Sequence, residues 1–152
     1  MFRFRLQRLL ELREQKEQEA AGAVAGAQSA ADAARDALAS LDALRSAGRD
    51  RLLVAQGATD SAGELRAMAF MLEQLDRHAE SATEQVTDAE GVLAAREEDL
   101  RAAFRDRRVL DRLRERAVDE WRHAETQQDR QTMDGIALSR FTLAMARTGR
   151  GE

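Results

Sequence analysis

The sequence predicts an all-α fold: an antiparallel two-helix coiled-coil hairpin, with helix two longer than helix one. Three observations carry this expectation. Apolar residues recur at alternating steps of three and four along most of the chain, the seam of a coiled coil. The 152 residues include no Pro and no Cys, and only 4% are aromatic, which provides neither the turns of a many-stranded sheet nor a bulky globular core. A single short stretch around Gly57, Thr59, Asp60, Ser61 and Gly63 interrupts the period, and its composition is that of a connection between neighbouring antiparallel helices.

Helix one is expected over about 2–55. Its seam runs through Leu6, Leu10, Arg13, Glu17, Ala20, Val24, Ala27, Ala31, Ala34, Leu38, Leu41, Arg45, Gly48 and Leu52. The alanines of the middle portion should let the partner helix approach closely. The tip falls at about 56–63, where Gly57 is a candidate C-cap and Asp60 or Ser61 a candidate N-cap. Glu64, three residues after Ser61, would complete a capping box. Gly22, Gly26, Gly48 and Gly91 lie inside helical stretches, where each marks either local weakening or close packing.

Helix two is expected over about 64–145, followed by a frayed tail at 147–152, so that residues 1–152 form a single hairpin. Its seam passes through Leu65, Met68, Leu72, Leu75, Ala79, Ala82, Val86, Ala89, Leu93, Arg96, Leu100, Ala103, Arg107, Leu110, Arg114, Ala117, Trp121 and Ala124. Folding about residue 60 sets residue i near residue 120 − i, so Leu38 should face Ala82. At 1.5 Å per residue the helices measure roughly 80 Å and 120 Å. Helix one therefore runs out near residue 118, and everything after Trp121 is expected to project without a partner from its own chain. That segment still carries Met133, Ile136, Leu138, Phe141, Leu143 and Met145, too apolar for a helix meant only to be solvated.

Composition excludes several classes of function. No apolar run approaches the roughly 20 residues that span a bilayer, and the first ten residues lack the pattern of a secretory signal. With no Cys there is neither a disulfide framework nor a thiolate metal site, and a cytosolic protein is expected. A formal charge of -4 argues against nucleic acid as a partner. His78 and His123 are too far apart to share a metal, no serine has a nearby histidine in a cleft, and no phosphate loop follows a strand. The expectation is a protein that is not an enzyme, with no cofactor and no metal. The arginine-rich stretch from Arg101 to Arg116 is interleaved with Asp106, Asp111 and Glu115, and it reads best as a solvated face crossed by i,i+4 pairs.

The two ends of the chain carry the distinctive motifs. The N-terminal run Phe2-Arg3-Phe4-Arg5-Leu6-Gln7-Arg8-Leu9-Leu10-Glu11-Leu12-Arg13-Glu14 is apolar over more than one narrow seam. It resembles the opening of the flagellar export family FliJ. The late run Met133-Asp134-Gly135-Ile136-Ala137, followed by Arg140, resembles that family's second motif, with Gly135 in place of an acidic residue. Trp121-Arg122 resembles a Trp-Arg pair upstream of it.

This resemblance implies a hairpin similar to the gamma-subunit stalk of rotary ATP synthases. The paired termini would enter the hexameric flagellar export ATPase and promote its assembly, through Phe2, Phe4, Leu6, Leu9, Leu10, Trp121, Met133, Ile136 and Phe141. The half nearest the tip would meet the cytoplasmic domain of the export gate, through Leu41, Leu44, Met68, Leu72 and Leu75, although the seam alone also accounts for most of these five. Export chaperones are a further class of partner that the resemblance admits. The implied location is cytoplasmic, at the base of the flagellum, peripheral to the membrane only through partners. Two other readings stay open from the residues: the equivalent stalk of a virulence-type secretion system, and a self-associating structural coiled coil whose apolar overhang dimerises.

Overall fold

The computed structural model describes residues 2–58 and 61–148, with the backbone alone for 146–148. Two helices account for nearly all of it, α1 (Gln7–Gly57) and α2 (Ala62–Thr148), and there is no strand among the described residues. The second helix is the longer, 87 residues against 51. The chain divides into two compact units: a tip unit, Glu14–Arg105, and a terminal unit comprising Met1–Arg13 and Asp106–Glu152.

Within the tip unit the predicted seam is the packed seam. Ala31, Ala55, Ala79, Ala82 and Leu93 are buried, and Leu38, Leu41, Leu52, Leu65, Leu72 and Leu75 are half-buried. Four of the five buried side chains are alanines, each adding a single methyl to the apolar area removed from water. A buried leucine contributes about 1.5–3 kcal/mol, so this seam holds by its length rather than its thickness. The helices come close at Gly48, where an added Cβ would stand 2.7 Å from Leu72 Cδ2. That contact, and the ion pair of Arg45 Nε with Asp76 Oδ1 at 2.7 Å, match the expected register of residue i with residue 120 − i. Arg49 adds a second guanidinium to Asp76 at 3.2 Å, and Arg35 reaches Glu90 at 2.8 Å. Pairs that are exposed, or like Arg45–Asp76 only part-buried, add little stability and act mainly to favour one register.

Within the tip unit one step of the predicted seam is displaced, and in the terminal unit the predicted seam positions Leu6, Arg114, Trp121 and Ala124 are exposed. Arg96 is exposed and Glu97 takes the half-buried place instead, so the seam steps from Leu93 to Glu97 to Leu100. The reason is that Arg96 turns outward to Asp99, at 3.3 Å.

The tip is capped as expected on one side. Ser61 Oγ accepts a hydrogen bond from the Glu64 N–H at 3.3 Å, and the Ser61 carbonyl accepts from Glu64 and Leu65. Asp60, the alternative cap, lies outside the described residues. Gly57 is the last residue of α1 and has no positive φ. The helix closes instead through the Ala58 N–H bonded to the Ala55 carbonyl at 3.2 Å, a tightened last turn.

In the terminal unit Leu10 and Leu110 are the buried side chains, and Arg13 reaches Asp106 across the pair at 2.8 Å. Here α1 begins at Gln7, five residues later than the sequence predicts. The Gln7 N–H donates to the Phe4 carbonyl at 3.2 Å and the Leu10 N–H to the Leu6 carbonyl at 3.0 Å. Ahead of that turn Phe2 lies against Trp121, ring centroids 6.1 Å apart and tilted by 54°. A first helical turn is weak on its own, and an aromatic contact outweighs it. At the other end α2 continues through Arg147 to Thr148, so helix replaces the first residues of the expected frayed tail. The rest of that tail, 149–152, lies outside the described residues.

Candidate partner-binding surfaces

No side chain from 122 to 145 is buried or half-buried, as the length arithmetic requires once α1 has run out. Met133, Ile136 and Phe141 stand on this stretch as large exposed apolar groups, and Leu138 and Leu143 are exposed beside them. At 100° per residue the first three fall within an arc of roughly 140°. Ile136, at the middle of the motif, is 45% exposed. An apolar row of this size in water marks an interaction surface or an aggregation hazard.

The N-terminal members of the predicted set divide. Leu6 and Leu9 are exposed, Phe2 and Phe4 half-buried, and Trp121 36% exposed beneath Phe2. Phe2, Arg3, Phe4, Gln7 and Arg114 line a shallow groove of about 350 Å³. Leu10 is different: at 1% exposure it is the largest fully buried side chain. Its place in the seam puts it in the core, where it supports the surface rather than forming it. The signal for this was the 3-4 spacing of Leu10 with Arg13 and Glu17.

Near the tip, four of the five predicted residues converge. Leu44, Met68, Leu72 and Leu75 line one groove of about 580 Å³, together with Met71 and the close-approach residue Gly48. Leu44, off the seam, is 57% exposed. Leu41 does not line this groove and is half-buried in the seam. Sequence reasoning passed over Met71, which is exposed three residues after Met68 and outside the 3-4 row. The Arg45–Asp76 pair lies on the same stretch of the two helices. The hydrogen bond from Arg45 holds the Asp76 carboxyl below the usual aspartate range, with Arg49 adding to the effect, and Asp76 in turn raises Arg45. Farther along α2, Arg105 and Arg101 hold the Glu98 carboxyl below its usual range.

Among the described residues no helix is long and apolar enough to cross a membrane, and no group of His, Asp and Glu could hold a metal ion. A family model described as flagellar FliJ protein matches residues 1–146. The chain belongs to the flagellar FliJ family. The match takes in the N-terminal run, the Trp-Arg pair and the late motif together, as the sequence resemblance requires, and it makes the chain a component of flagellar protein export. No curated protein and no solved structure matches at a significant level. The exposed residues around Ile136 and the aromatic pair at Phe2 both belong to the terminal unit.

Proposed function

We propose that the chain is a non-enzymatic stalk and adaptor of flagellar export, cytoplasmic at the base of the flagellum. Its terminal unit engages the hexameric export ATPase and promotes ring assembly. Its tip unit meets the cytoplasmic domain of the export gate, and export chaperones are a further class of partner. The observation that carries this reading is the exposed apolar row Met133, Ile136 and Phe141 on a stretch of α2 with no covered side chain. Burying one Phe or Ile there contributes about 1.5–3 kcal/mol, one to two orders of magnitude in affinity. The apolar groove between Leu44 and Met68 supports the second contact.

Deletion of 131–152 tests the first contact. The truncated protein should remain helical by circular dichroism and lose stimulation of the purified export ATPase. Full stimulation by the truncated chain refutes the stalk reading. For the gate contact, Leu44→Ala with Met68→Ala should weaken binding to the gate domain while leaving the helices folded; unchanged binding removes that assignment. Self-association through the overhang predicts instead a dimer by light scattering that the same deletion converts to monomer.

A further inference from the structure

Charge in this chain is sorted by unit. Residues 1–13 and 106–152 carry 14 arginines against ten Asp and Glu, whereas residues 14–105 carry ten cations against 18. Pairing is sorted as well. In the tip unit most arginines reach a carboxylate, among them Arg35, Arg45, Arg77 and Arg101. In the terminal unit Arg107 pairs with Asp111. Arg108, Arg112 and Arg116, by contrast, pair with no carboxylate among the described residues. The pairing expected of the arginine-rich stretch therefore holds for Arg101, Arg105 and Arg107, at spacings of three, four and seven, and fails for Arg108, Arg112 and Arg116.

These three residues are four apart, so they form one row along α2, roughly opposite the packed positions Leu110 and Ala117. The row spans about 12 Å. Val109 and Leu113 follow it on the neighbouring row and are exposed. Three unpaired guanidinium groups beside two uncovered apolar side chains make a surface with both electrostatic and hydrophobic complementarity to offer.

We infer that Arg108, Arg112 and Arg116 form a docking row for a protein surface that presents carboxylates. This rests on the proposed function, in which that surface belongs to the export ATPase ring. The occupant follows from what surrounds the row. Glu115 stands beside it, and Asp119 is held only by an exposed pair with Arg122 at 4.0 Å, so a continuous polyanion such as a nucleic acid or an anionic bilayer would bring its charges against these carboxylates as well. A folded partner can place discrete carboxylates opposite each guanidinium, in the forked geometry that arginine favours, and leave neutral groups opposite the acids. The row also works at longer range. The excess of arginine over acid in the terminal unit attracts a negative surface beyond contact distance and raises the rate of encounter.

The test uses the full chain and the purified export ATPase, with association kinetics followed from low to high salt. The wild type should associate about tenfold more slowly at high salt. The triple variant Arg108→Gln, Arg112→Gln, Arg116→Gln should associate several-fold more slowly than wild type at low salt and converge with it at high salt. Because the three side chains are exposed, its helix content should be unchanged. Binding by the wild type that the triple variant matches at every salt concentration overturns the inference and leaves the proposed function standing. Failure of the wild type to bind the ring overturns both. Loss of binding to phosphatidylglycerol vesicles or duplex DNA, without effect on the ATPase, overturns it in favour of a polyanion surface.

Discussion

Replacement of Gly48 by Ala probes the closest approach of the two helices. In a helix interior Ala is favoured over Gly by about 0.8–1.0 kcal/mol, so an unopposed substitution stabilises. At Gly48 it is opposed, because the new methyl would lie 2.7 Å from Leu72 Cδ2. Reaching an ordinary carbon–carbon separation requires a shift of roughly 0.8–1.3 Å. Leu72 can yield by leaving its rotamer well, at about 0.5–1.5 kcal/mol, or the helices can part, at about 1–3 kcal/mol. The propensity gain is thus cancelled or exceeded. Gly26 is the internal control, since an added Cβ there meets nothing within 4 Å. Thermal unfolding followed by far-ultraviolet circular dichroism should show Gly26→Ala raising Tm by about 2–4 °C. Gly48→Ala should leave Tm unchanged or lower it. Adding Leu72→Ala to Gly48→Ala should recover part of the loss relative to additive single effects, the mark of a direct contact. An increase in Tm from Gly48→Ala equal to that from Gly26→Ala refutes the close approach.

Three further outcomes follow from the packing. Leu10→Ala should destabilise the protein by about 2–5 kcal/mol in denaturant titrations, whereas Phe141→Ala, at an exposed site, should change stability by less than about 0.5 kcal/mol. Acid titration of Tm should show a loss to which Asp76 contributes. Its folded-state pKa lies below the ordinary 3.8, so the stabilisation is complete above that value and disappears as pH falls through the folded value. Asp76→Asn should flatten this acid limb, and an unchanged limb removes the assignment. Cysteines at Leu38 and Ala82 should crosslink within one molecule, since both lie in the tip-unit seam at the observed register; crosslinking of Leu38 to a site near Leu110 instead excludes that register.

The seam was readable because burial repeats with the helix. From Leu10 to Leu52 every predicted α1 seam position is buried or half-buried. Ser61 was readable for a similar reason, its hydroxyl being a local acceptor for the first free N–H groups of α2. What periodicity does not encode is the competition at each interruption. Arg96 leaves the seam because Asp99 is within its reach, and Gln7 begins α1 because Phe2 has Trp121 to meet. The tip groove depends on Leu44 and Met71, both off the 3-4 row: the family resemblance pointed to Leu44, whereas Met71 acquires meaning only when α1 and α2 are placed together. The net charge of -4 concealed the positive terminal unit, because the excess appears only when residues 1–13 are grouped with 106–152.

The order of contacts along the pair bears on how the molecule forms. Gly48 meets Leu72 across 24 residues of chain and Arg45 meets Asp76 across 31, whereas Arg35 and Glu90 are 55 apart and Arg13 and Asp106 are 93 apart. Closing a loop costs entropy that grows with its length, and a contact already made shortens the loop for the next. Pairing therefore zips outward from Ser61, each layer lowering the cost of the one after it. Within the tip unit the layer at Arg35 and Glu90 is expected to close after those at Gly48 and Arg45, and by the same ordering to open before them. Hydrogen exchange within the tip unit should accordingly rise with distance from Ser61 along both helices, so the turn that joins α1 to α2 also guards the slowest-exchanging amides.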